Sequence, residues 1–375
     1  MPYKPLYCRI AGPGPRVIIG PSPKIHETAS ICVVDQVQQK QKLLAVILLI
    51  WPKSAIFTKT TLKAFMKLNI QSETARLREV VLGLPDSPGP VPSLKETFDS
   101  KSYESVLNGV YPADEDIARE MGAFEAVLKK YDVKVYRPRP VKNCNQVFSR
   151  DVGFVIGDKI IVSNIIPDRQ EEIDAYEDIY RQIHYKQIYN LPEAVHVEGG
   201  DVILYKNFIF LGQYDFPDYH MVKTARTNRL AVEYLKMLFP ERTIVPLNLL
   251  KSDTDPYQGI LHLDCTFMPV GRDKAIIYKR GFMNPRDADH LIEIFGPDNV
   301  FELTTEEMYY MNSNVFSISE DVVVTEEHFH RLNRHLREQW GMTVETVPYR
   351  EISKMGGLLR CSTLPLRRDN PVGDE

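Results

Sequence analysis

Cys361 lies in Met355-Gly-Gly-Leu-Leu-Arg-Cys361-Ser-Thr-Leu-Pro-Leu366, behind two glycines and at the predicted end of the last core strand. Three upstream segments carry acids or histidines: Ser149-Arg-Asp151, His196-Val-Glu198-Gly-Gly-Asp201 and His262-Leu-Asp264-Cys265. A thiol attacks as thiolate, a histidine moves protons near neutral pH, and carboxylates hold a cation. Together these are the parts for nucleophilic chemistry on a cationic substrate.

Each part also has a structural reading. A lone cysteine is commonly a buried core residue, and a histidine is often a satisfied core side chain. Arg360, next to Cys361, would point to the opposite face of a strand and is a poor activator of the thiol. His262 and Asp264, two apart, would share one strand face and could enter one pocket. The glycines after Glu198 permit close backbone approach, or the acids there simply cap a hairpin entry. Arg150-Asp151 could be a local surface pair, and Arg226-Thr-Asn228 could be a helix cap. His196, Glu198, His262 and Asp264 could also ligate a metal, although such paired spacings are weak signals.

The elements that must position these groups repeat along the chain. Strand signals recur at 133–136, 152–156, 159–162, 202–205 and 208–211, and the turns at Gly157-Asp158 and Lys206-Asn207 predict two hairpins. Helical spacing marks 114–130, capped by Asp114 or Asp116, then 170–183, 227–238, 287–295 and 326–340. Further strands are expected at 267–269, 275–278, 315–318, 322–324 and 344–347. Strands and helix thus alternate about five times with a period near 50–60 residues, which suggests radial α/β modules rather than a doubly wound sheet. No glycine-rich phosphate loop follows a strand.

Composition bounds the answer. The 375 residues allow a sizeable core, and 43% apolar with 26% charged residues fits a soluble globular chain. A net charge of -4 gives no case for nucleic acid as a partner. The five cysteines (Cys8, Cys32, Cys144, Cys265, Cys361) are irregularly spaced, which favours a reducing, cytoplasmic compartment over a disulfide framework. The apolar run Leu43–Trp51 is too short for a spanning helix, so no membrane role is expected. Residues 1–65 carry no motif and are expected to be an extension, with Met66 a plausible alternative start; residues 66–375 are expected to form the catalytic domain.

Taken in order, Asn145…Phe-Ser-Arg-Asp151, Glu198-Gly-Gly-Asp201, Phe210-Leu-Gly…Arg226-Thr-Asn228, His262-Leu-Asp264, Ser313-Asn-Val315 and Gly356-Gly…Arg-Cys361-Ser-Thr-Leu-Pro resemble the guanidino-group-modifying superfamily. That superfamily includes arginine deiminases, dimethylarginine dimethylaminohydrolases, agmatine deiminases and amidinotransferases. The resemblance covers residues from about Glu79 to Asp369. It implies the pentein fold, a five-bladed α/β propeller of ββαβ-like modules with pseudo-fivefold symmetry. It also implies that Cys361 attacks the guanidinium carbon, that His262 is the acid and base, and that Glu198 orients His262. Asp151 and Asp264 would grip the guanidinium, and Asn145 and Arg226 the substrate α-carboxylate. No cofactor and no metal is implied. The expected partner is a small guanidino compound, with a homodimer common in the family.

Glu198-Gly-Gly and Arg226-Thr-Asn resemble the hydrolases, whereas the segments at Arg150-Asp151 and His262-Leu-Asp-Cys-Thr-Phe resemble the amidinotransferases. The expectation is a hydrolase giving a citrulline-type product, with amidino transfer to an amine as the alternative. A third reading is a non-catalytic binder, like the pentein ribosome anti-association factor, which lacks the cysteine, histidine and carboxylate set.

Overall fold

Short β-branched runs separated by turn residues favour short strands, and these pair locally. The computed structural model describes residues 65–371. The strands are β1 (Leu77–Leu82), β2 (Lys134–Tyr136), β3 (Gly153–Ile156), β4 (Lys159–Val162), β5 (Ile188–Asn190), β6 (Val202–Tyr205), β7 (Phe208–Gln213) and β8 (Thr243–Asn248), then β9 (Phe267–Val270), β10 (Lys274–Ile277), β11 (Val300–Glu302), β12 (Phe316–Ser317), β13 (Val322–Glu326), β14 (Thr343–Val347) and β15 (Thr363–Arg368). They form five three-stranded sheets, ordered β15-β1-β2, β3-β4-β5, β6-β7-β8, β9-β10-β11 and β12-β13-β14. In every sheet the middle strand pairs antiparallel on one side and parallel on the other. First and last strands share a sheet, so Cys361 is delivered beside the first strand.

A parallel neighbour needs a crossover, and helices supply it. The longer helices are α1 (Ser100–Leu107), α2 (Asp114–Lys130), α3 (Arg229–Leu238), α4 (Pro285–Phe295) and α5 (His330–Glu338). Of these, α2, α3, α4 and α5 each connect a middle strand to its parallel partner. In the β3-β4-β5 module the helix expected over 170–183 is broken into the single turns Glu171–Asp174 and Glu177–Tyr180. Asn228 caps α3, its side chain accepting from Ala231 N at 3.2 Å. The cap expected at α2 differs: Ala113 is the N-cap without a side-chain bond, and Asp114 and Asp116 lie in the first turn, where they favour the positive end of the dipole.

The two expected hairpins form, with Gly157 (φ +60°) in one turn and Lys206 (φ +48°) in the other. Middle strands such as β10 and β13 are almost wholly buried because other elements cover both faces. Residues 66–76 also belong to this packed unit. Ile70 bridges to Gly157, Asn69 to Arg367, and Glu73 is buried. The structured region thus starts before Glu79. The expected extension 1–65 and the run Leu43–Trp51 lie outside the described residues, Phe65 excepted. Among the described residues no helix is long and apolar enough to cross a membrane.

Candidate active site

Cys361 does not lie in a strand. It occupies a turn ending where β15 begins at Thr363, and its carbonyl accepts from Arg150 N at 2.9 Å. Gly356 has φ +88°, and a Cβ there would collide with the Asp99 carboxylate, so the loop can approach that wall only as glycine. Asn314 fixes the thiol. Its Nδ2 donates to Cys361 Sγ at 3.2 Å, while its Oδ1 accepts from Arg360 N at 2.9 Å and Cys361 N at 3.3 Å. One buried amide thereby sets both the loop and the sulfur. Sequence reasoning noticed Ser313-Asn-Val315 only as a family anchor.

His262 is fully buried at the start of a short 3₁₀ turn, Leu263–Cys265, not on a strand. Its Nε2 is 2.8 Å from Glu198 Oε2, and its Nδ1, without a hydrogen bond, is 3.7 Å from Asp151 Oδ1. A Cβ on Gly200 would stand 2.6 Å from the ring, so this glycine is what lets the Glu198 segment pass against the histidine. Asp201 ties the same segments together, accepting from Leu263 N at 2.9 Å and from the Thr227 hydroxyl at 2.6 Å. Burial works to neutralise His262. Asp151, Cys361, Glu198 and Asp201 outweigh it and hold the imidazolium well above the ordinary histidine range.

Glu198 receives two bonds of 3.1 Å from Arg226 Nη1. Burial favours the neutral acid, but Arg226 and His262 pull its pKa down to about 2. Arg226 is also held by the carbonyls of Lys223 (2.7 Å) and Phe98 (2.6 Å). It nevertheless lines the cavity described below, so it is both Glu198's partner and a cation in the wall.

Asp151 divides its oxygens. Oδ2 accepts from Arg169 Nη1 at 2.7 Å, while Oδ1 is buried without a partner. Arg169, which sequence reasoning missed, also grips Glu172 through Nε (2.7 Å) and Nη2 (2.8 Å). The 3₁₀ turn Pro167–Arg169 after β4 places it there; its i,i+3 spacing to Glu172 is the one local signal, and nothing local links it to Asp151. Arg150 does not pair with Asp151. It turns inward, donating from Nη2 to the Thr363 hydroxyl at 3.2 Å, and burial with nearby Arg360 lowers its pKa to about 9.

Asp264 sits elsewhere than expected. It does not share a pocket-facing strand surface with His262, because the 3₁₀ turn rotates it behind the thiol. It is wholly buried and does not line the cavity; its Oδ2 accepts from Arg360 Nη1 at 2.8 Å and lies 3.9 Å from Cys361 Sγ. Arg360 points away from the cavity, as expected, and is clamped between Asp264 and Glu73 (3.0 Å). The Cys265 thiol, together with His262, holds Cys361 below the ordinary thiol value, against burial and the charges of Asp264 and Asp151. Cys265 is correspondingly pushed well above it by Cys361, burial and Asp264. Cys144, Cys265 and Cys361 are all free thiols.

Cys361, His262, Asp151, Asn145, Arg169 and Arg226 line one cavity of about 410 Å³. Asn145 is half-buried in its wall, with Oδ1 accepting from Val147 N at 3.1 Å. The four candidate metal ligands do not assemble: His196 Nδ1 faces Asn164 O at 3.2 Å instead. Asp151, Glu198 and His262 do bring ligand atoms within 4.8 Å of one another. Guanidinium groups from Arg169 and Arg226 already neutralise both of those carboxylates, which disfavours a dication.

Comparison with known proteins places this geometry in a family. A family model described as N,N dimethylarginine dimethylhydrolase, eukaryotic, matches residues 105–368. The chain belongs to that family. It is a member of the pentein guanidino-modifying superfamily, with a mixed α/β fold matching pentein amidinotransferase structures. An uncharacterized protein of Bacillus subtilis (strain 168), YkgA, is 29% identical over 311 residues, covering 82% of this chain and 97% of that protein. The bifunctional arginine dihydrolase/ornithine cyclodeaminase AgrE of Nostoc sp. (strain PCC 7120) is 24% identical over 232 residues, 61% of this chain and 30% of that one. Among solved structures, the amidinotransferase SxtG from Microseira wollei superposes with a TM-score of 0.64 at 19% identity, over 82% of this chain and 99% of its own. The inosamine-phosphate amidinotransferase StrB1 from Streptomyces griseus gives 0.63 at 17%, over 81% and 97%. Family members modify guanidino groups, by hydrolysis or by amidino transfer.

Proposed function

We propose that the protein hydrolyses the guanidino group of arginine or a methylated arginine through a covalent intermediate on Cys361. The observation that carries this is the convergence of Cys361, His262 and the unpartnered Asp151 Oδ1 on one cavity, with Glu198 behind the histidine. A guanidinium is planar and cationic, and a free carboxylate oxygen is its natural partner. Asp264, engaged by Arg360, acts behind the thiol rather than on the substrate. Arg169 and Arg226 are the guanidinium groups in the cavity wall; both already bridge buried carboxylates, so a substrate α-carboxylate would share them, with Asn145 beside it.

In the first half, Cys361 Sγ bonds to the guanidinium carbon and the C=N pair moves onto nitrogen. His262 gives its proton to the departing nitrogen, the C–N bond breaks, and ammonia or an alkylamine leaves an amidino-thioether. In the second half, water adds to that carbon and yields its proton to His262. The C–S bond then breaks, returning the thiolate and a citrulline-type urea. Glu198 keeps Nε2 engaged, so His262 works through Nδ1, the nitrogen without a hydrogen bond. We take the five sheets as the blades of a pseudo-fivefold propeller and residues 66–375 as the catalytic domain. The need for a reduced thiol favours a cytoplasmic enzyme.

The test is product identification by mass after incubation with arginine, methylarginines and agmatine, with and without glycine. Citrulline formed without an acceptor supports hydrolysis; amidino products formed only when glycine is present overturn it in favour of transfer. Unchanged turnover in Cys361→Ala would remove the nucleophile assignment altogether.

A further inference from the structure

A second cavity, of about 290 Å³, opens on the other side of the loop that carries Cys361. Met355, Gly356 and Cys361 line the first cavity, whereas Arg350, Ser353 and Leu358 line the second. Two features of its wall call for a ligand. Asn312 is 4% exposed, its buried Oδ1 has no hydrogen-bond partner, and no described group bonds to its Nδ2. A buried amide oxygen left without a donor is costly. The Arg350 guanidinium stacks 4.2 Å above the Tyr310 ring, and no carboxylate among the described residues pairs with it. Arg331, also in the wall, is neutralised by Glu307. That leaves Arg350 as the guanidinium without a carboxylate partner; of the acids in the same wall, the buried Glu326 is taken by His328 N and Nδ1, each at 2.8 Å, and the exposed Glu306 is free among the described residues.

We propose that this cavity binds a free α-amino acid as its zwitterion, at a site separate from the catalytic cavity. The carboxylate sits on Arg350, joined by Asn312 Nδ2; the ammonium donates to Asn312 Oδ1 and to Glu306, whose carboxylate has no partner among the described residues. Tyr310, Phe329 and Leu358 supply apolar wall for the side chain. A wall that offers an unpaired guanidinium, an unpartnered amide oxygen and the free Glu306 carboxylate fits a ligand of both charges better than a simple anion or cation. Binding here reaches the nucleophile through two residues of backbone. Asn312 faces this cavity, and Asn314 holds Cys361 Sγ at 3.2 Å. Filling the second site therefore biases the setting of the thiol.

Isothermal titration of the full-length protein with the common L-amino acids tests this, using the N-acetyl form and the methyl ester of any binder as controls. The result expected is saturable binding by at least one amino acid, lost in both controls and weakened about tenfold or more in Arg350→Gln. Arg350→Gln is expected to keep the turnover measured without added amino acid, which shows that it folds. Asn312→Ala, a second variant, should weaken the same binding. Three results overturn the proposal: no amino acid binds at millimolar concentration, Arg350→Gln binds as well as the parent, or alkylation of Cys361 alone abolishes binding. The last outcome assigns the ligand to the catalytic cavity.

Discussion

Glu198→Gln is the most informative single change, because it keeps the shape and removes one charge. In the parent, the Glu198 carboxylate is flanked by Arg226 at 3.1 Å and His262 at 2.8 Å, all buried. Its pKa falls from an ordinary 4.5 to about 2. Each unit is worth about 1.4 kcal/mol, so the ionised group contributes about 3 kcal/mol to folding. The same figure follows from breaking a buried pair, about 3–5 kcal/mol, since Arg226 would remain charged and unpaired. Because the folded pKa is depressed, that stability is complete above the ordinary value and lost as pH falls toward the folded one. Urea unfolding should therefore separate parent and variant by about 3 kcal/mol at pH 6 and by about 2 kcal/mol at pH 3.5. Turnover should fall roughly 10²–10⁴-fold, as His262 loses a partner that keeps it protonated and aligned. Adding Arg226→Met should recover part of the stability and none of the activity. A stability gap that is constant across this pH range would refute the assignment of a buried, charged Glu198.

Other outcomes follow from the same contacts. Asn314→Ala should raise the Cys361 thiol pKa and slow its alkylation by iodoacetamide about tenfold at neutral pH, read from the pH dependence of the alkylation rate. Cys265→Ala removes the thiol that most favours the Cys361 thiolate, so the alkylation midpoint should move upward while the fold is kept. Arg360→Met leaves Glu73 and Asp264 buried without their cation and should cost about 3–5 kcal/mol in a denaturation curve. The raised pKa of His262 stabilises the fold fully below its ordinary value and loses that contribution as pH rises through the folded one, so catalysis should decline on the alkaline side. A chelator should leave turnover unchanged, whereas alkylation of Cys361 should end it.

Much of this was legible from residue order. The hairpins at Gly157 and Lys206 and the helix over 114–130 emerged because period and turn chemistry agreed there. The third strand of three modules, β5, β8 and β11, was not anticipated. These are parallel outer strands with partly exposed residues, so neither alternation nor a continuous apolar run marks them. At the site, Cys361, His262 and Glu198 could be named because their residue types carry the chemistry. Arg169 and Glu73 could not, and Asn314 stood out only within a family anchor, because the contacts Arg169–Asp151, Glu73–Arg360 and Asn314–Cys361 join segments far apart in the chain. Arg360–Glu73 spans 287 positions in the chain. Asp264 was misplaced because a 3₁₀ turn has a different side-chain period from the strand assumed for it.

The displacement of Asp264 from the cavity sharpens how the substrate and the nucleophile depend on each other. Around the thiol, the carboxylates of Glu73, Asp151, Glu172, Glu198 and Asp264 are matched by Arg150, Arg169, Arg226, Arg360 and protonated His262. Asp201 is held by neutral donors, and its nearby cation is Lys251. The set is thus balanced while Cys361 is a thiol. Ionising the thiol leaves one buried negative charge, made worse by Asp264 Oδ2 at 3.9 Å. A bound guanidinium supplies the missing positive charge, so substrate entry and thiolate formation should favour each other. A neutral urea, the product of hydrolysis, supplies none. The affinity of a non-reactive guanidinium should therefore rise through the pH range in which Cys361 ionises, while that of the corresponding urea stays flat. Parallel titration of the two compounds against the parent and Cys361→Ala measures this directly; equal pH dependence of the guanidinium in both proteins would break the link between the substrate's charge and the nucleophile's.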